Sequence, residues 1–347
     1  MKWLKSLNVF LLGSSLLVSL SLPVSAQNNN HIKMTDQFTL NPGEPGIHLP
    51  VRATIHHLNN GATQVFDANN VLLLTTSDAN ASLLPTPGGL TKANHVYGVP
   101  DATVIDHVGN IVKFKKDGRV FLTVIDDNPY IQKARPPSTI TWNEYAYNWT
   151  GLDTFVAYWT CPSSPASSST NITNYLFNGI QPPDNSEIIQ PVLAWNGLDG
   201  PAGWGGAAWY FYSSGSTHTS YTTVSVGNSL EGYLHNIGGY NWDIYFYNLS
   251  TSSSRSLTAY NTNISTSPQG GNFIAIALES YNGTADGDLY NADIPGKTRF
   301  TNIGALLNGS GVSPSWNNTI VDHPWFHMPD RDVTWSGYSS VNLTTGN

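Results

Sequence analysis

Residues 174–195 read NYLFNGIQPPDNSEIIQPVLAW. Two apolar runs, Asn174–Ile180 and Glu187–Trp195, flank a cluster of Gln, Pro, Asp, Asn and Ser. Short β-branched and aromatic runs bounded by such clusters read as strands and turns. The pattern continues upstream in DTFVAYWT (153–160). Downstream it recurs in GGAAWYFYS (205–213), SLEGYLHNI (229–237), NWDIYFYNLS (241–250), RSLTAYNTN (255–263), NFIAIALES (272–280) and TRFTNIGAL (298–306). Nothing reads as a long amphipathic helix. This density of strands over 136–347 predicts an all-β domain of two stacked antiparallel sheets. Residues 27–135 read as a smaller β-rich region. Its VFDANNVLLL (65–74) and FKKDGRVFLTV (114–124) suit hairpins turning on Asn and Asp-Gly. Ala134-Arg135-Pro136-Pro137-Ser138 marks the break between the two regions, since paired prolines interrupt a sheet.

The chain opens with Lys2 and Lys5, an apolar stretch Val9–Leu22 and the small-residue site Val24-Ser25-Ala26. That is the layout of a secretory signal peptide over residues 1–26, with a secreted, extracellular product. The run is short for a membrane anchor, and no membrane association is expected after its removal. Charged residues make up 11% of the chain, and residues 141–347 hold four Lys+Arg against fourteen Asp+Glu. A domain so poor in cations is not expected to bind nucleic acid, which requires clustered positive charge. One cysteine, Cys161, excludes an internal disulfide and Cys-based zinc motifs. His48, His56-His57, His323 with His327, and Asp286 with Asp288 and Asp293 are incomplete as ligand sets. No P-loop or G-x-S-x-G elbow occurs. No metal or cofactor is expected.

Two polar residues stand out because strand side chains alternate between faces. Gln190 shares a face with Ile188, Val192 and Ala194. Glu279 shares one with Phe273, Ala275, Ala277 and Tyr281. An unpaired amide in apolar surroundings costs about 1–3 kcal/mol, and a carboxylate more. Each therefore needs a polar partner or an open cleft, and facing one another would satisfy both. An edge strand with its amide in solvent is the competing reading for Gln190, and Pro191 would suit such an edge.

The order of these segments resembles the glutamic peptidases (eqolisins). Phe177-Asn178-Gly179-Ile180 resembles the family's aromatic-x-Gly-Ile segment, and Ile188-Ile189-Gln190 the segment carrying its catalytic glutamine. Ala208-Trp209-Tyr210 resembles its Ala-Trp-Tyr strand, Ile276-Ala277-Leu278-Glu279 the segment carrying its catalytic glutamate, and Phe300-Thr301-Asn302 its Phe-Thr-Asn segment. The resemblance covers roughly residues 140–310. It implies a lectin-like, concanavalin-like jelly-roll sandwich with the dyad in a concave groove, and a pro-region that residues 27–135 would supply. It implies Glu279 as general base and then acid, with Gln190 holding the water and the oxyanion, in an acid-acting endopeptidase on polypeptide substrates. Glutamine both donates and accepts and stays uncharged in acid. Phe177, Gln181, Trp209 and Tyr212 are expected to line the groove. The chain departs from the family at Phe177 and Gln181, at Phe211 where a glutamate is usual, and over Pro191-Val192-Leu193-Ala194. Those departures keep open a sandwich that binds glycans or peptides without cleaving them. A glycosidase would need a second carboxyl, from Glu187 or Glu231, beside Glu279.

Overall fold

Along Asn272–Asn282, alternation sends Ile274, Ile276 and Leu278 into one apolar core and Ala275, Ala277 and Tyr281 into another. The computed structural model that shows this describes residues 32–34, 47–49, 52–127, 142–267, 271–283, 287–322 and 324–344. The leader and the Ala134–Ser138 break lie outside them.

Two large β-sheets form the body of the chain, as the alternation predicts. The centre of the first runs Gly215–Thr219, Trp204–Tyr212, Ile188–Trp195, Ile172–Gln181, Asn272–Asn282 and Trp142–Thr150, all antiparallel. The second is centred on Thr298–Leu307, Thr154–Thr160, Ser229–Gly238, Asn241–Asn248 and Ser253–Tyr260. Between them, Leu176, Ile189, Leu193, Ala208 and Ile276 of the first sheet join Phe155, Trp159, Leu234, Phe246 and Leu257 of the second in one buried cluster. Gly206 is what lets the sheets approach there. A Cβ on it would lie 1.8 Å from a ring carbon of Phe246.

Gln190 sits on an interior strand, flanked by Ile172–Gln181 and Trp204–Tyr212, so the edge reading does not hold. Pro191 is tolerated inside the sheet where the ladder is interrupted. Paired positions stop at Phe177 with Val192 and resume at Ile180 with Ile189.

The described part of residues 27–135 is woven into both sheets. Val96–Val99 adds parallel to Gly215–Thr219 on the first, and Thr103–Val108 adds parallel to Ser253–Tyr260 on the second. The sheets are therefore not purely antiparallel. A strand that re-enters from a distant part of the sequence is free of the hairpin constraint that forces antiparallel pairing. Both expected hairpins form, Ala62–Phe66 with Leu72–Ser77 and Ile111–Lys116 with Arg119–Asp126. Asp117 and Gly118 both take positive φ, as a tight hairpin turn requires.

Candidate functional site

The second apolar cluster lies on the outer face of the first sheet. Tyr175, Phe177, Ile188, Val192, Trp209, Phe211, Phe273, Ala275, Ala277 and Tyr281 rise from it. Alternation puts Gln190 and Glu279 on this same face, as expected. Both are fully buried, and so are Phe177 and Trp209, while Gln181 is 4% exposed. A hairpin of the chain itself covers part of this face. Leu83–Thr86 pairs with Gly89–Lys92 around the turn Pro87-Gly88, and Leu84, Leu90 and Ala93 pack into the cluster. The Tyr175 hydroxyl donates to the Pro85 carbonyl (2.8 Å) and the Tyr281 hydroxyl to the Thr86 carbonyl (2.9 Å). Gly88 lies so close to the Phe211 ring that a Cβ would meet it at 2.9 Å. Phe211 serves as the floor under the turn.

Register decides how the two polar residues relate. Tyr175 pairs with Glu279 on one side and Ala194 on the other, while Gly179 pairs with Ala275. The Gln190 side chain lies over Gly179, whose Cβ position is 3.2 Å from the Gln190 Cγ. Gln190 thus belongs to the row of Gly179 and Ala275, four residues along from the row of Glu279. That offset is about 13 Å along the strands and about 10 Å across them. The row of Phe177 and Ala277 lies between. Glu279 is also engaged elsewhere, because its Oε1 is bonded to the Tyr281 hydroxyl, one row farther from Gln190. The register therefore places Gln190 and Glu279 on one face, as expected, and two same-face rows apart. Ala275, not a carboxyl residue, occupies the position across from Gln190.

Tyr212 is a correction. It lies on the opposite face from Trp209, in the inter-sheet core, with its ring edge-on to His107 at 4.9 Å. Parity in Trp209-Tyr210-Phe211-Tyr212 carries that signal, since only residues two apart share a face. Parity would also have found Tyr281, two residues beyond Glu279, and Tyr175, two before Phe177. Beside Gln190, Trp209 stacks on His218 at 4.4 Å and donates its indole N–H to the Tyr221 hydroxyl (3.2 Å). The Gln190 amide makes no hydrogen bond with another described residue.

Tyr281 has one phenol proton for both the Thr86 carbonyl and the Glu279 carboxyl. A phenol can donate once. When it donates to the Thr86 carbonyl, its bond to Glu279 is made only if the carboxyl is the donor. Glu279, Tyr281 and a polypeptide carbonyl then form a continuous hydrogen-bonded chain. Tyr281→Phe breaks both of these links. It is expected to lower stability by about 1–3 kcal/mol, read as a fall in the urea midpoint.

Neither alternative carboxyl partners Glu279. Glu187 points to the side of Tyr210 and accepts from the Asn263 amide (3.0 Å); burial lifts its pKa to about 7, with that amide and the Tyr210 hydroxyl pulling the other way. Glu231 is on the other sheet, accepting from the Tyr158 hydroxyl (3.1 Å). A glycosidase pair is not assembled. Burial also pushes the Cys161 thiol up to about 12, which leaves it unreactive.

No family profile and no curated protein matches the chain. Solved structures do. Scytalido-glutamic peptidase with a peptide-based transition-state analogue matches at 18% identity and TM-score 0.42, over 59% of this chain and 98% of that one. SCP-B, a member of the eqolisin family in complex with the tripeptide Ala-Ile-His, matches at 19% and 0.42 over the same shares. Aspergilloglutamic peptidase from Aspergillus niger matches at 22% and 0.36, over 50% of this chain and 98% of that one. The all-β sandwich is similar, at a distance, to those of glutamic peptidases.

Proposed function

We propose that this is a secreted protein whose sandwich binds extended polypeptide on the outer face of its first sheet. The hairpin Leu83–Lys92 carries the reading: a stretch of polypeptide lies on that face with two backbone carbonyls held by Tyr175 and Tyr281. Backbone carbonyls are common to every peptide, so this mode of holding is general, while Trp209, Phe211 and Phe177 supply apolar walls. In this reading residues 27–135 act as a pro-region that occupies the face until displaced.

A second reading, acid endopeptidase activity, is favoured by the Glu279–Tyr281–carbonyl chain. There Glu279 is the proton-transferring carboxyl and Tyr281 polarises the carbonyl. The four-residue offset of Gln190 favours binding over cleavage, because the amide is remote from that carbonyl. Incubating the full chain with denatured casein from strong acid to neutrality, beside Glu279→Gln, separates the two. Casein retained in acid, where the hairpin is displaced, and uncut at every pH is the expected result. Cleavage that disappears in Glu279→Gln would replace binding by hydrolysis, and neither retention nor cleavage at any pH would end both readings.

A further inference from the structure

The hairpin is anchored at its base by a cluster that the binding face does not use. His95, three residues after Lys92, has its Nδ1 at 3.0 Å from the Ser214 carbonyl and its Nε2 at 3.2 Å from Asp78 Oδ1. Both ring nitrogens face acceptors, so the ring satisfies both only as an imidazolium. Ser214 belongs to the turn between Trp204–Tyr212 and Gly215–Thr219, so this bond fastens the hairpin to the sandwich. Asp78 also accepts from Asn94 (2.7 Å) and faces the Lys92 ammonium at 3.3 Å.

His57 lies flat on His95, with ring centroids 3.9 Å apart and planes 14° from parallel. Its nitrogens are bonded to Thr63 (2.8 Å) and the Tyr97 hydroxyl (2.6 Å). His57, His95 and Asp78 offer ligand atoms within 4.8 Å of one another, but parallel stacked rings cannot both aim lone pairs at one ion, and the ring nitrogens are already engaged. The arrangement suits a proton instead. A charge on His57 would stack one imidazolium on another.

We propose that acid unseats the hairpin Leu83–Lys92 by protonating His57 against His95, and so uncovers the face on which the proposed polypeptide binding rests. The other charged groups around the pair are Asp78 and Lys92, His56 with its partner Asp127 at 2.7 Å, and, behind Tyr97, Asp126. Burial, and then the charge of His95, hold the His57 pKa well below its usual value, against the pull of Asp78. The sign follows from linkage: a group that binds its proton more weakly when docked favours docking above its free pKa, about 6.5, and loses that contribution as pH falls below it. Asp78 is held below the usual carboxylate range chiefly by His95, although burial opposes this, so its contribution survives through mild acid. His57 therefore sets the window.

The test is amide hydrogen exchange on the full chain from neutrality to about pH 4. Protection of residues 83–92, corrected for intrinsic exchange, should fall by up to ten-fold per pH unit below about 6.5. Amides of Ile172–Gln181 should stay protected. His57→Gln should flatten that fall, and His95→Gln should loosen the hairpin already at neutral pH. Hairpin protection unchanged down to about pH 4 in the unaltered chain overturns the proposal, whatever the variants do. So does an undiminished fall in a folded His57→Gln protein. Exchange reads the hairpin directly, so it stands apart from whether the uncovered face then binds polypeptide.

Discussion

A Gly88→Val chain is expected to bind a free peptide of sequence LLPTPGGLTK, residues 83–92, on the order of 100-fold more tightly than the unaltered chain does. The unaltered face is already occupied by a tethered copy, and a short tether gives an effective concentration in the millimolar range. A free peptide must compete with it, and its apparent affinity falls in proportion to the fraction of open face. Valine at 88 drives its side chain into the Phe211 ring, where even a Cβ sits at 2.9 Å. The hairpin's turn must lift, and the competitor is lost. Anisotropy of labelled peptide reads the difference, with circular dichroism showing that both chains remain folded. Equal affinity for the two chains would mean that the hairpin merely caps the sheet and mimics no ligand.

Gly206→Val is expected to cost about 3 kcal/mol or more, the upper end of what overpacking a core does. Its Cβ would fall 1.8, 2.2 and 2.3 Å from three atoms of the Phe246 ring. That ring is also wedged against Trp159, with centroids 6.1 Å apart, so it has no free direction in which to retreat. The sheets themselves must separate, and the inter-sheet core loses contact beyond the altered residue. Chemical denaturation measures the loss. Adding Phe246→Ala should recover part of it, because the two changes share one space and their effects are not additive. A fully additive double variant would show that Gly206 is silent in setting the sheet separation.

The strands and the common face of Gln190 and Glu279 were legible because alternation is local: a residue's face depends on its neighbours two positions away. Register is not local. Nothing in SEIIQPVLAW or FIAIALESYN states that Gln190 aligns with Ala275 rather than with Glu279. That is set by the lengths of the loops and by how Ile172–Gln181 inserts between the two strands. The hairpin at 83–92 left a weaker trace. Pro87-Gly88-Gly89 between Leu84 and Leu90 is a turn signal, but its seat on Phe211 depends on a residue far away in sequence. Tyr212 falls on the other face because parity, not aromatic character, decides which side of a strand a ring takes. The buried state of His57 was equally hidden, since its partner Thr63 lies 6 residues away and Tyr97, near the stacked His95, lies 40 residues away.

The two parallel seams bear on what a cut after residue 127 would do. Val96–Val99 and Thr103–Val108 complete the hydrogen bonding of Gly215–Thr219 and Ser253–Tyr260. Without them those strands would present unpaired backbone donors and acceptors, which any extended segment can satisfy. Release of the N-terminal residues would then create two adhesive borders along with one open face. The same event that frees the molecule to hold a peptide would make it prone to zip onto other chains, its own copies included.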